Sequence, residues 1–193
     1  IFDIHPSYMF GRYNSKPLLP DFTFTWGVHF TNLLIQSGGY KKDQVITSGR
    51  IPIIKSKQHL NPKISKRKRI IVYATQPQPN EKLRQQQLED VIKTVGQFEH
   101  EFELVIRPHP NEKDDAYFLD LITHLEARNV ILDRESDLNS HFEICDFLIT
   151  SYSTVGAEFI PYKKPLLVLD YNQDDLVGYI KAGVGIPVYS KTE

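Results

Sequence analysis

From residue 69 onward, short apolar runs alternate with longer amphipathic stretches. "RIIVYATQ" (69–76), "FELVIRPH" (102–109), "NVILD" (129–133), "DFLITS" (146–151), "PLLVLD" (165–170) and "VGIPVYS" (184–190) read as buried strands. Between them, 80–98, 111–128, 137–145, 154–162 and 174–183 have the spacing of helices. In the first of these, Leu83, Leu88, Val91, Ile92 and Val95 fall on one face. Upstream, "FTFTW" (22–26) and "QVITSG" (44–49) suit strands. "VHFTNLLIQSG" between them suits a helix that stops at Gly38-Gly39.

Apolar strands of five or six residues alternating with helices indicate a parallel sheet covered on both faces. With right-handed crossovers this is an α/β, doubly wound, Rossmann-like domain. Residues 22–193 are assigned to it. Residues 1–21, with three prolines, four aromatics and no period, read as an irregular segment leading in from a preceding N-terminal domain. Because the chain starts at Ile1 without Met and stops just after a strand, we expect a piece of a longer protein, with part of the active site elsewhere. The basic stretch 55–69 reads as a solvated linker.

Composition narrows the function classes. The net charge is −1, so there is no basic footprint for nucleic acid. One cysteine, Cys145, excludes an intramolecular disulfide and a multi-cysteine zinc site, and fits a reducing, cytoplasmic setting. Cys145 falls at a helix-to-strand junction and reads as core. The seven histidines are scattered without metal-ligand spacing, so no metal and no cofactor are expected. The glycine fingerprints of dinucleotide and P-loop sites are absent. No run is long enough to span a bilayer.

In such sheets ligands bind beyond the carboxyl ends of the strands. The residues there are Gly49-Arg50, Thr75-Gln76, Arg107 to Pro110, Asp133-Arg134, Ser151 to Thr154 and Asp170-Tyr171. In "RPHP" (107–110) each proline pushes the residue before it to extended geometry. Pro110 suits the first position of the next helix, with His109 as N-cap. His109 then faces an anion, backed by the helix N-terminus, with Arg107 as a second cation. The same residues also suit a stiff turn carrying an exposed histidine. In "ITSYSTVGAEF", Ser153 and Thr154 open a helix as a phosphate cradle, and Glu158 lies one turn further on, placed to accept from a ribose diol. An ordinary Ser/Thr cap with a surface acid is the alternative.

The ordered series "TWG" (25–27), "ITSGR" (46–50), "RPHP", "DFLITSYST" (146–154) and "KKPLLVLD" (163–170) resembles the C-terminal, donor-binding half of GT-B fold transferases. It is most similar to bacterial surface-polysaccharide enzymes: the CDP-glycerol glycerophosphotransferases of teichoic acid synthesis and the capsule transferases. The resemblance runs over about residues 22–190. It implies a metal-independent transferase for capsule, lipopolysaccharide or teichoic acid synthesis. The donor is a nucleotide-activated sugar or CDP-polyol. The acceptor is saccharide or lipid-linked, with peripheral membrane association through other regions. It also implies roles: His109 on the donor phosphate, Ser153 and Thr154 on the same phosphates, and Glu158 on the ribose. Gly49, Arg50, Thr75 and Arg107 complete the expected substrate contacts. Two departures stand out: Ser151 where that family often has Asp, and Glu158 itself. "RPHPNE" is also similar to the turn of UDP-N-acetylglucosamine 2-epimerases, but their Ser-Gly-Gly helix start and "TER" stretch are missing. An epimerase and a non-catalytic nucleotide-binding module are therefore the alternatives.

Overall fold

The computed structural model describes residues 21–49, 60–64 and 68–190. The chain divides into two compact units, residues 1–54 and 55–193. The first βαβ segment lies in the first unit and the later strands in the second.

In the first unit, β1 (Thr23–Thr25) pairs in parallel with β2 (Val45–Thr47), joined through α1 (Val28–Ser37). Thr25 and Thr47 both bond the Thr31 hydroxyl at 2.6 Å, tying the helix to both strands. Register places Phe24 beside Ile46, both exposed. Gly49, just past β2, takes φ +74°, a left-handed conformation that favours glycine. Arg50 and the lead-in segment 1–20 lie outside the described residues.

The second unit carries β3 (Arg69–Ala74), α2 (Glu81–Gly96), β4 (Phe102–Arg107), α3 (Asp115–His124), β5 (Val130–Leu132), α4 (Leu138–Ile144), β6 (Phe147–Thr150), α5 (Val155–Phe159), β7 (Leu166–Leu169) and β8 (Ile186–Val188). All six strands are parallel, in the order β5-β4-β3-β6-β7-β8. The expected doubly wound sheet is the one observed.

Strand alternation builds two cores. Ile70, Val72 and Ala74 of β3 face one side, where Phe142 of α4 and Phe159 of α5 cover them. Ile71 and Tyr73 face the other, against Leu88 and Ile92 of α2 and Phe118 of α3. Cys145 belongs to the first core, and burial pushes its thiol up to about 12, so it is no nucleophile at neutral pH. The helices begin on side-chain caps: Asn80 accepts from Leu83 N, Asp114 from Ala116 N, and Asp137 from Ser140 N.

Two expected helices differ. Residues 174–183 form a run of turns. Asp170 accepts the N–H groups of Asp174 and Asp175, and Asp175 accepts those of Ile180 and Lys181. Carboxylates thus take donors a helix would use, and Gly178 at φ +82° breaks the α path. The helix from 154 is one α turn, then a 3₁₀ turn over Ile160–Tyr162, because Pro161 cannot donate.

Chain order reverses between β3 and β6, since β4 and β5 lie to one side and β7 and β8 to the other. The crevice opened there, at the carboxyl ends of β3 and β6, is where such a sheet receives a ligand.

Candidate active site

β4 ends at Arg107 because Pro108 has no N–H to extend the ladder. The chain then makes a tight turn, closed by Glu112 N donating to His109 O at 2.8 Å. Pro110 occupies its second position, which a fixed φ suits. Helix α3 starts only at Asp115, capped by Asp114. The expectation that Pro110 opens the helix and His109 caps it is therefore corrected. The Glu112 carboxylate takes the His109 N–H at 2.9 Å, holding these residues in a turn, and Asp114 supplies the cap.

The His109 ring is half-buried and oriented. Its Nδ1 accepts the N–H of Asn111 at 3.1 Å, so the neutral ring carries its proton on Nε2. Burial lowers its pKa from the usual value, while the Glu112 charge opposes that shift. At neutral pH His109 is thus a hydrogen-bond donor through Nε2, at the carboxyl edge of the sheet.

Arg107 and Thr75 are committed to neighbouring loops. Arg107 Nη1 donates to Ser136 O at 2.6 Å, tying the end of β4 to the loop after β5. Burial lowers its pKa, offset in part by Asp133. Thr75 is buried; its N–H donates to Arg107 O at 3.0 Å and its hydroxyl to Glu112.

Across β3, the segment after β6 is equally fixed. Ser151 Oγ donates to Gln87 Oε1 at 3.3 Å, and Tyr152 OH donates to Pro77 O at 2.6 Å, joining the two lips of the crevice. Ser153 Oγ accepts Val155 N at 3.3 Å. Tyr179 OH donates to Ser153 O at 2.7 Å and accepts Ala157 N at 2.8 Å. Thr154 sits at the N-cap position of α5 with no side-chain cap bond, and Glu158 N donates to Thr154 O at 3.3 Å. Ser153, Thr154 and Glu158 therefore share one helix start, as their spacing implies. A cleft at the ends of β6 and β7, lined in part by Gln78, Ser151, Tyr152, Asp170 and Tyr171, continues the crevice.

Two groups were not picked out from sequence, and the surroundings of a third, the strand-end Asp133, were not foreseen. Glu112 reads there as one more acid in "NEKDD". Tyr179 reads as part of an amphipathic stretch. The third is a buried knot around Asp133, whose carboxylate accepts from Asn61 Nδ2 at 3.2 Å, Glu135 N at 2.9 Å and the Ser136 hydroxyl, and meets His141 Nε2 at 2.8 Å. Burial alone would raise the Asp133 pKa, but these bonds outweigh it and hold the carboxyl at about 2. An apolar strand ending in Asp is the only signal, and it does not name the partners. Among the described residues, no three His, Cys, Asp or Glu side chains gather as a metal site.

The family model for CDP-glycerol:poly(glycerophosphate) glycerophosphotransferase matches residues 27–182. The chain belongs to that family. No curated protein sequence matches it. Among solved structures, the wall teichoic acid polymerase TagF aligns at 16% identity and TM-score 0.55, over 89% of this chain and 46% of that one. The MnaA–UDP structure from S. aureus aligns at 15% identity and TM-score 0.63, over 90% and 48%. A putative UDP-N-acetylglucosamine 2-epimerase from Listeria monocytogenes aligns at 18% and 0.63, over 89% and 48%. At these identities the likeness is one of fold. The chain spans about half the length of each. No described helix is long and apolar enough to cross a membrane.

Proposed function

We propose that this glycerophosphotransferase-family chain binds a CDP-polyol donor, of the CDP-glycerol type, and serves the metal-independent transfer of its polyol phosphate in surface-polymer synthesis. The observation that carries this is the fixed tautomer of His109, whose Nε2–H is a donor at the edge where the sheet receives ligands. His109 follows β4 and Ser153-Thr154 follow β6, on either side of β3. Strands two apart lie about 10 Å from each other, a distance a substituted diphosphate bridges.

In this reading His109 Nε2–H donates to a phosphate oxygen. The Ser153 and Thr154 hydroxyls hold the diphosphate from the other side, and the Glu158 carboxylate accepts from the ribose diol. The acceptor hydroxyl oxygen attacks the polyol-bearing phosphorus and gives up its proton to a general base; the P–O bond to the nucleotide breaks, and CMP leaves with the electron pair. Phosphoryl transfer needs positioning and charge stabilisation more than covalent chemistry. Hydrogen-bond donors aimed at the leaving phosphate supply the second. Thr75 and Arg107 act by holding the loops around His109. The acceptor is a saccharide or lipid-linked chain met at the cytoplasmic face of a membrane.

The turn "RPHPNE", similar to that of UDP-N-acetylglucosamine 2-epimerases, gives a second reading as a nucleotide-sugar epimerase. The family match over 27–182 favours transfer. Competition binding separates them: the transferase reading expects CDP-glycerol and CDP to bind at least tenfold more tightly than UDP-N-acetylglucosamine and UDP, about 1.4 kcal/mol. The reverse order overturns it.

A further inference from the structure

We propose that Glu112 is a positioning residue for the donor site, fixing the direction of His109 Nε2–H by tying the His109 turn to β3 and α2. The proposal rests on the reading of His109 given above.

Glu112 is only 7% exposed, and a carboxylate taken that far from water needs partners. It has one from each of three directions. Thr75 Oγ1, at the end of β3, donates to Oε2. His109 N, on the turn itself, donates to the same oxygen at 2.9 Å. Arg84 Nε, on α2, donates to Oε1 at 2.7 Å. The Arg84 guanidinium is itself held, 4.2 Å over the ring of Tyr117. The main chain of Glu112 adds two links: its N–H closes the turn on His109 O, and its carbonyl accepts from Arg134 Nη2. His109 is thus gripped at both its N–H and its C=O by a single residue. The ring is fixed in turn, because Asn111 N, whose bond selects the Nδ1 acceptor, lies inside the same turn.

A purely structural carboxylate has no reason to select a tautomer on a neighbouring ring. Here the geometry makes that selection depend on Glu112. With glutamine in its place the charge is lost and, whichever way the amide turns, its N–H₂ group faces either the Arg84 Nε–H or the His109 N–H as donor against donor. The turn then opens and Asn111 N leaves Nδ1.

The test is long-range ¹H–¹⁵N NMR of the histidine side chains together with calorimetric titration of CDP-glycerol. It uses the wild-type chain, Glu112→Gln, Thr75→Val and His109→Ala, with the His109→Ala spectrum assigning the ring. The expected wild-type spectrum shows His109 as a single Nε2–H tautomer. Glu112→Gln mixes the tautomers and weakens binding about tenfold, and Thr75→Val, which removes one donor and leaves the charge pair intact, weakens it about threefold. If Glu112→Gln fails to fold, Thr75→Val carries the same two readouts. An unchanged tautomer and affinity in the folded variants, with His109→Ala still weakening binding, overturns the role of Glu112 alone. Loss of any His109→Ala effect overturns the donor-site reading on which it stands.

Discussion

The ring of Tyr179 lies directly against Gly156: a Cβ on that glycine would sit 2.6 Å from Tyr179 Cε2. The same tyrosine hydroxyl joins Ser153 O to Ala157 N. The helix start that carries Ser153 and Thr154 is therefore set by a residue far along the chain, through one contact and two hydrogen bonds.

Gly156→Ala is expected to destabilise the chain by about 1–3 kcal/mol, because neither the ring nor the short helix can give way without losing those bonds. Tyr179→Phe, which keeps the ring and removes the hydroxyl, is expected to cost about 1–2 kcal/mol and to weaken CDP-glycerol binding. Denaturant unfolding and calorimetry measure both. A neutral Gly156→Ala would mean that Tyr179 does not press on α5.

Stability should fall in two acid steps. His141 is buried against Asp133, with no partner for Nδ1 among the described residues, and burial lowers its pKa. The unfolded imidazole takes up a proton near pH ~6.5 that the folded one refuses, so stability present above that pH declines below it. His109 adds in the same direction. Asp133, held at about 2, acts lower: its contribution is full above about pH 4 and is lost as pH falls toward 2. Thermal melts from about pH 2 to 8 should show both slopes, and Asp133→Asn should flatten the lower one while lowering stability by roughly 3 kcal/mol at neutral pH.

In the proposed site His109 is a neutral donor, so affinity for CDP-glycerol should change less than about twofold between about pH 7 and 8.5. A steep loss over that range, seen by calorimetry, would assign the contact to an imidazolium.

The strands of the second unit and their order along the chain were legible from apolar runs alone, because both faces of a parallel sheet are buried and the runs are nearly continuous. The grouping of Ser153, Thr154 and Glu158 was legible too, since it depends on local helical spacing. Glu112 was not. Its importance comes from the β3–β4 register, which sets Ala74 opposite Arg107 and brings Thr75 to the turn. Residues 174–183 have helical spacing but form turns, because Asp170 and Asp175 bond nearby backbone N–H groups. A periodicity count does not see that competition. The start of α3 differs for a related reason: Pro110 fits both a helix start and a turn, and the Glu112 side chain decides between them.

The proposed mechanism turns on one contact, His109 Nε2–H on the donor phosphate. It is probed by calorimetric titration of CDP-glycerol into the wild-type chain, His109→Ala and His109→Gln. Measurable wild-type binding is expected, with at least a tenfold loss in His109→Ala and partial recovery in His109→Gln, whose amide can still donate. Equal affinities in all three, or no wild-type binding, would refute that contact.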